Sequence, residues 1–217
     1  MNKSVYSIVL SDDVVAQVDR LAYKAGISRS GMINRILAEY VSYVTPEQRL
    51  RDILGQAASL VEAMDQLQVM LQPSDTHLAL KSALRYKYNP TVRYSVELYK
   101  SGEALGELRV TMRTQNKTLI ACLGDFFRLW AAVEQHVLGE LPPCAAGEGR
   151  YSRTLMLDPA LAQTATGEQL SRAIIDYVET LDRCIKLWFE AQAQGIDAGE
   201  QIIHIYRTYK QNHLLLK

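Results

Sequence analysis

The hydrophobic and polar positions of the first 45 residues combine one strand pattern with two helix patterns. Between residues 4 and 10 alternation places Tyr6, Ile8 and Leu10 on one face and Val5, Ser7 and Val9 on the other, which is typical of a strand with one face on a core. Apolar residues then recur at helical spacing over 14–25 and over 31–44. Gly26 is a residue type that ends helices, and Ser28 is one that begins them. The pattern predicts a strand, a helix, a tight turn and a second helix.

A strand-helix-helix segment of this length cannot bury a sufficient core by itself. Its strand also has no partner strand in the local sequence, so both strand edges would stay unpaired. Two copies of the chain remove both problems if their strands pair and their helices pack together. Tyr6, Ile8 and Leu10 would then face the shared core. We therefore expect a homodimer paired through the N-terminal strands, and we leave open whether dimers assemble further.

The next segment predicts a helix that leads into a second part of the chain. Thr45 and Pro46 are typical of a helix start, and an apolar stripe continues from there to about Leu71. The Pro- and Ser-containing run at 72–75 then breaks the helical pattern. We divide the chain into an N-terminal module, a connecting helix that could belong to either part, and a C-terminal domain. These three parts cover residues 1–45, 46–73 and 74–217.

The C-terminal domain alternates between strand patterns and long helix patterns. The expected antiparallel strands cover 84–88, 92–98 and 108–113, with a short strand at 154–157. The expected helices cover 116–138, 167–193 and 198–216, and a loop is expected over 141–151. The whole chain is therefore expected to be mainly α-helical with a small antiparallel sheet, which is the α+β class.

Composition restricts the setting of the protein more than it restricts its function. The 217 residues include 24 basic and 24 acidic side chains, so no field of the whole chain attracts nucleic acid or a membrane. No signal peptide and no membrane span is expected from the pattern of apolar residues. Cys122, Cys144 and Cys184 are widely separated and odd in number. This spacing favours a reducing cytoplasm over a disulfide framework.

No motif in the sequence predicts catalysis. The four histidines are His77, His136, His204 and His213, and none has metal-ligand spacing to a cysteine, a carboxylate or another histidine. The chain also contains no phosphate-binding loop and no nucleophile motif. We therefore expect no enzymatic activity, no cofactor and no metal site.

Anion-binding chemistry is concentrated at the start of the second predicted helix. Ser28, Arg29 and Ser30 bring hydroxyl groups and a guanidinium to a helix N-terminus, where main-chain amides are unpaired. This combination is suited to holding a phosphate. The two paired strands of a dimer would form a ribbon, and a two-stranded ribbon fits the major groove of DNA.

Residues 4–44 resemble a ribbon-helix-helix domain of the Arc/MetJ/CopG type, over about a fifth of the chain. The resemblance is carried by Ile8-Val9-Leu10-Ser11-Asp12 at the strand-to-helix junction, by Val14, Val18 and Leu21, and most specifically by Gly26-Ile27-Ser28-Arg29-Ser30 before Ile33 and Leu37. It implies a homodimer that places its paired strands in the major groove of a two-fold symmetric operator. It also implies that Val5, Ser7 and Val9 face the bases and that Ser28, Arg29 and Ser30 clamp phosphate.

Two features of the charge and chemistry leave alternatives open. Valine occupies two of the three base-facing positions, and valine contacts a thymine methyl group but makes no hydrogen bond to a base edge. Basic residues are concentrated instead between Lys81 and Lys117, where eight basic and three acidic residues lie. Strand alternation predicts a second basic surface, for nucleic acid or an anionic ligand, or else an ordinary solvated face. Its residues are Arg85, Lys87, Arg93, Arg109 and Arg113.

The sequence as a whole favours a homodimeric, sequence-specific transcriptional regulator that binds double-stranded DNA. An N-terminal ribbon-helix-helix domain would be followed by a larger α+β domain that extends the dimer, assembles dimers on DNA or senses a ligand. One alternative is a dimeric structural or interaction protein that keeps the fold without reading DNA. The other is an accessory protein of plasmid partition or mobilisation.

Overall fold

A computed structural model describes residues 5–41, 43–85, 89–147, 149–213 and 216–217. The described residues form seven helices and one six-stranded antiparallel sheet, so the expected α+β class is confirmed. Residue contacts divide the chain into a unit over 1–49 and a unit over 50–217, called here the N-terminal unit and the C-terminal unit.

The helices are α1 (Asp12–Ala25), α2 (Arg29–Tyr40), α3 (Pro46–Glu62), α4 (Lys117–Leu138), α5 (Pro159–Ala162), α6 (Gly167–Gln194) and α7 (Gly199–Asn212). The strands are β1 (Gln68–Val69), β2 (His77–Ala83), β3 (Thr91–Leu98), β4 (Ala104–Met112), β5 (Cys144–Gly147) and β6 (Arg150–Met156). The strand order across the sheet is β1-β2-β3-β4-β6-β5.

The N-terminal unit contains the two predicted helices, α1 and α2, joined by the predicted tight turn. Gly26 ends α1 with a φ of 64°, a left-handed conformation that glycine adopts without a Cβ penalty. The Ser28 hydroxyl oxygen accepts a hydrogen bond from the Gly31 amide at 3.2 Å and so begins α2. Both end signals are therefore confirmed, although α2 ends at Tyr40 and not at Val44 as predicted.

Residues 5–11 belong to no helix and no strand of the single chain, and Ser4 lies outside the described residues. The partner strand expected for this segment belongs to a second copy of the chain. Pairing of the N-terminal strands therefore stays a prediction.

Helix α3 is shorter than predicted. The Thr45 hydroxyl caps it by accepting from the Gln48 amide at 3.1 Å, as the sequence indicates. It ends at Glu62, so the helix predicted to Leu71 is wrong beyond that point. The apolar residues that follow serve the sheet instead, because Leu67 is buried and β1 pairs with β2. From Leu50 onward, the apolar side chains of α3 belong to the core of the C-terminal unit.

The sheet uses an earlier segment than the sequence pattern predicts. The strand expected over 84–88 is wrong at Leu84 and Arg85, which lie outside the strands, and residues 86–88 lie outside the described part. The observed strand is β2, which pairs along its whole length with β3. The strands predicted over 92–98 and 108–113 are confirmed as β3 and β4, with β4 beginning earlier, at Ala104. Contacts with β3 decide this choice, and local alternation cannot reveal them.

The segment predicted as a loop over 141–151 contains strand β5 and the beginning of β6, so that prediction is wrong. The short strand expected at 154–157 is the end of the longer β6, which pairs with both β4 and β5. Helix α4 and helix α6 match the predicted helices closely, whereas α7 ends at Asn212 and not at Leu216. Leu216 instead forms a β-bridge with Leu157.

One face of the sheet carries the core of the C-terminal unit. Alternate residues of β2, β3, β4 and β6 are buried in a single cluster with apolar residues of α3, α4, α6 and α7. We call this the inward face, and the opposite face, which carries mostly polar side chains, the outward face. Among the described helices, none has the length and apolar character that crossing a membrane requires.

Candidate nucleic-acid interface

The N-terminal unit has a small core and many uncovered hydrophobic side chains. Its buried apolar residues are Val18, Ala22, Met32 and Ala38, and Ile27 and Ile33 pack against the first three. Large hydrophobic residues are exposed on both helices and along the N-terminal segment. We call this set the N-terminal apolar surface: Val5, Tyr6, Ile8, Val9, Leu10, Val14, Leu21, Tyr23, Ile36, Leu37, Tyr40, Val41, Tyr43 and Val44. Exposed apolar residues in such number are typical of a surface that binds another protein.

The predicted base-facing residues are fully open to solvent in the single chain. Val5 is 99% exposed and Val9 is 101% exposed, and Ser7 is also exposed. Tyr6 and Ile8, on the opposite face of the predicted strand, are exposed as well. Exposure in one chain therefore does not distinguish the two faces, since both lack a partner.

The predicted phosphate clamp is brought together at the start of α2. The Ser28 and Ser30 hydroxyl oxygens lie 3.2 Å apart, next to the first amides of the helix. Arg29, however, already has a partner. Its Nε and one Nη donate to the two carboxylate oxygens of Asp19 in α1, at 2.6 and 2.5 Å. The local sequence gives no sign of this role of Asp19, because only the turn between α1 and α2 brings Asp19 next to Arg29.

The Arg29–Asp19 pair determines what the clamp can do chemically. The hydrogen bonds from Arg29 lower the pKa of Asp19, so its carboxylate stays charged at neutral pH. The pair uses two of the five N–H donors of the guanidinium, so a phosphate can bind the remaining donors beside the Asp19 carboxylate or take the place of that carboxylate. Because both side chains are open to solvent, the pair is weak and the exchange is accessible.

The predicted second basic surface is only partly assembled by the structure. Arg93 of β3 and Arg109 of β4 lie on the outward face of the sheet, where Arg93 is opposite Thr111 and Arg109 is opposite Ser95. Arg85 and Arg113 are exposed but lie beyond the ends of β2 and β4, and Lys87 lies outside the described residues. Arg109 is ion-paired with Glu107 at 2.5 Å and with Glu97 at 3.5 Å. The structure therefore satisfies Arg109 internally.

Sequence reasoning missed a buried charged cluster in the C-terminal unit. The carboxylate of Glu134 in α4 forms an ion pair with Arg153 of β6 at 2.9 Å, and the two side chains are 0% and 1% exposed. The same carboxylate accepts hydrogen bonds from the hydroxyls of Tyr151, Tyr177 and Tyr206, at 2.8, 3.0 and 3.1 Å. Burial raises the pKa of each tyrosine, so all three remain protonated donors. With every partner enclosed, the cluster is suited to holding α4, α6, α7 and β6 together.

The remaining chemistry-bearing side chains lie in structural settings. Among the described residues, no group of three or more histidine, cysteine or acidic side chains is close enough to hold a metal ion. The His77 imidazole contacts the Ser95 hydroxyl at 2.7 Å, and His213 contacts Asp176 at 3.0 Å. Burial raises the pKa of the Cys184 thiol to about 12, which keeps it protonated at neutral pH.

Compared with known proteins, the chain matches no family model, no curated protein sequence and no solved structure.

Proposed function

We propose that this protein is a homodimeric, sequence-specific DNA-binding regulator whose N-terminal strands pair and enter the major groove. The observation that carries the proposal is the N-terminal apolar surface beside the serine-capped start of α2. A cytoplasmic setting is part of the proposal, and the free thiols of Cys122, Cys144 and Cys184 support it.

The dimer follows from the imbalance between core and surface in the N-terminal unit. Four buried apolar side chains, two of them alanines, offer little hydrophobic free energy against the entropy of ordering about 40 residues. A second copy would cover Ile8 and Leu10 of the strand together with Ile36 and Leu37 of α2. Strand pairing between the copies would also satisfy the main-chain groups of residues 5–10, which form no strand within one chain.

DNA is the partner that best suits the rest of this unit. The first main-chain amides and the two serine hydroxyls at the start of α2 match phosphate oxygens. The paired strands would present Val5, Ser7 and Val9 to base edges. Because valine contacts the thymine methyl group and serine accepts or donates one hydrogen bond, we expect an operator with thymines at the contacted positions.

Selection from random duplexes tests the proposal directly. The full chain is incubated with pooled random-sequence DNA, bound duplexes are recovered, and binding is repeated at increasing salt concentration. Enrichment of a two-fold symmetric site, with affinity falling steeply as salt rises, is the expected result. Recovery of no preferred sequence at any salt concentration would contradict sequence-specific binding.

Substitutions of Arg29 and of Asp19 should change the affinity for DNA in opposite directions. Arg29→Ala should weaken binding to the selected site by roughly tenfold, because it removes a charged phosphate contact. Asp19→Asn should strengthen binding, since it removes the carboxylate that competes with phosphate for Arg29. Fluorescence anisotropy with the selected duplex measures both.

The neighbouring residue Arg20 in α1 supplies a control of equal charge, as Arg20→Ala. If Arg29→Ala has no larger effect than Arg20→Ala, the clamp role of Arg29 is wrong.

The second candidate is a dimeric interaction protein that keeps the same N-terminal fold without reading DNA. The occupied guanidinium of Arg29 and the valines at two base-facing positions favour it. In that case Arg29→Ala and Asp19→Asn would leave every binding property unchanged, while the dimer would persist.

A further inference from the structure

Three cations line up across the outward face of the sheet. The strand register pairs Lys81 of β2 with Arg93 of β3, and Arg93 with Thr111 of β4. Thr111 is in turn paired with Arg150 of β6. Because adjacent strands lie about 4.8 Å apart, this line spans about 14 Å. We call Lys81, Arg93 and Arg150 the cationic row.

The cationic row is not ion-paired within the described part of the chain. No described residue forms an ion pair with Lys81, Arg93 or Arg150, and the outward carboxylates of Glu97 and Glu107 hold Arg109 instead. The Nε of Arg93 is buried without a hydrogen-bond partner. Like charges at directly opposed positions destabilise a sheet, and a buried donor without an acceptor is costly. An external anion would offset the repulsion between the opposed cations.

The surroundings of the row match phosphate oxygens better than bases. Thr111 and Ser152 add hydroxyl donors, and a groove of about 720 Å³ lies over β4, β5 and β6 with Arg150 in its lining. The outward positions of β3, β4 and β6 carry no aromatic ring on which a base could stack. Cations and hydroxyls without aromatic rings are typical of contacts to the backbone of duplex DNA.

We propose that the cationic row binds the phosphate backbone of duplex DNA without reading its sequence. The identity of the anion rests on the proposed function, whereas the site itself lies in the C-terminal unit and is independent of the N-terminal clamp. The row would add a salt-dependent contact to the sequence-dependent contact of the N-terminal unit.

The salt dependence of binding tests this proposal in the full chain. Affinity for a labelled duplex of scrambled sequence is measured by anisotropy between about 50 and 200 mM salt. The row variant is K81Q/R93Q/R150Q. We expect it to bind at least tenfold more weakly, with a slope of log affinity against log salt that is shallower by about three.

A control variant removes the same number of charges from the helical side of the C-terminal unit. Arg128, Arg183 and Arg207 are exposed on α4, α6 and α7, and the variant is R128Q/R183Q/R207Q. It should retain nearly the wild-type slope. Equal effects of the two triple variants would overturn the proposal, because net charge alone would then explain the loss.

A single substitution separates binding from folding. Lys81→Glu places a carboxylate directly opposite Arg93, so a cross-strand ion pair should raise or maintain the melting temperature. The same change should weaken duplex binding by more than K81Q does. Weaker binding by a protein of equal or higher thermal stability supports the row, and unchanged binding overturns it.

The results of these experiments also separate DNA binding by the cationic row from the proposed function of the N-terminal unit. If a two-fold symmetric site is selected but the row variant shows the same salt slope as the helical control variant, then the cationic row does not bind DNA and the proposed function stands. If no symmetric site is selected but the row variant has a shallower salt slope than the control variant, the result supports DNA binding by the cationic row and contradicts the proposed function. Inorganic phosphate could raise the melting temperature of the wild type but not of the row variant, while both bind duplex DNA equally. That result would overturn duplex DNA as the ligand of the cationic row.

Discussion

Replacement of Glu134 by alanine should lower the free energy of unfolding of the C-terminal unit by about 3–5 kcal/mol. The substitution leaves the Arg153 guanidinium buried without its carboxylate, at a position that is 1% exposed. It also removes the acceptor of three tyrosine hydroxyls. Trp130 lies in the same cluster and donates to the Tyr177 hydroxyl at 3.1 Å, so tryptophan fluorescence during denaturant unfolding reports on it.

Two control variants isolate the buried charge as the cause. Arg109→Gln removes an exposed ion-paired arginine from the same unit and should cost at most about 1 kcal/mol. The double variant E134L/R153M removes both buried charges and should recover much of the stability lost in Glu134→Ala. If Glu134→Ala costs no more than Arg109→Gln, the cluster does not stabilise the C-terminal unit.

Replacement of Ile8 by lysine should abolish the dimer. The proposed dimer buries Ile8 from both copies, and each buried isoleucine contributes about 1.5–3 kcal/mol. Losing two such contributions raises the dissociation constant by roughly 10²–10⁴, before the cost of burying the ammonium groups is added. Sedimentation equilibrium measures the change. Hydrogen exchange should show that α1 and α2 lose protection, since only four apolar side chains are buried among the described residues of the N-terminal unit.

The adjacent residue provides the matched control. Val9 lies on the other face of the predicted strand, away from the proposed dimer core, so Val9→Lys should leave the dimer intact. The new lysine would face the major groove of DNA, so its charge should strengthen binding to DNA. A dimer that persists in Ile8→Lys with full protection of α1 and α2, or one that is lost equally in Val9→Lys, would contradict strand pairing in this register.

Helix starts and the end of α1 at Gly26 were the most predictable features of this chain, because local residues determine them, whereas the ends of α2, α3 and α7 were predicted too late. The left-handed Gly26 and the Ser28 cap lie where the residue types indicate. Helix α4 begins after Asn116, whose side chain accepts from two amides. Helix α6 begins with a capping box in which Thr166 and Gln169 bond each other's main-chain amides. Each signal operates within about four residues, so tertiary contacts do not change it.

Strands were predicted less well, because their partners lie far away in the sequence. The pattern over 84–88 alternates as well as β2 does, and only the register with β3 selects His77–Ala83. The segment rich in glycine and proline over 141–151 is typical of a loop, yet it contains β5 and the beginning of β6. These two strands pair with each other, and β6 also pairs with β4. The helix predicted to Leu71 ends early for the same reason, since β1 pairs with β2.

The sequence by itself determined the helix caps, the α+β class and the grouping of Ser28, Arg29 and Ser30 at one helix start. These depend on residue type and short spacing, which the chain carries locally. Only the tertiary structure decided that Arg29 holds Asp19, that Glu134 and Arg153 form a buried pair, and that Lys81 and Arg150 share a row with Arg93. The physical reason is that a charge acts over a few ångströms of space, and the fold, not the spacing along the chain, sets which charges are that close.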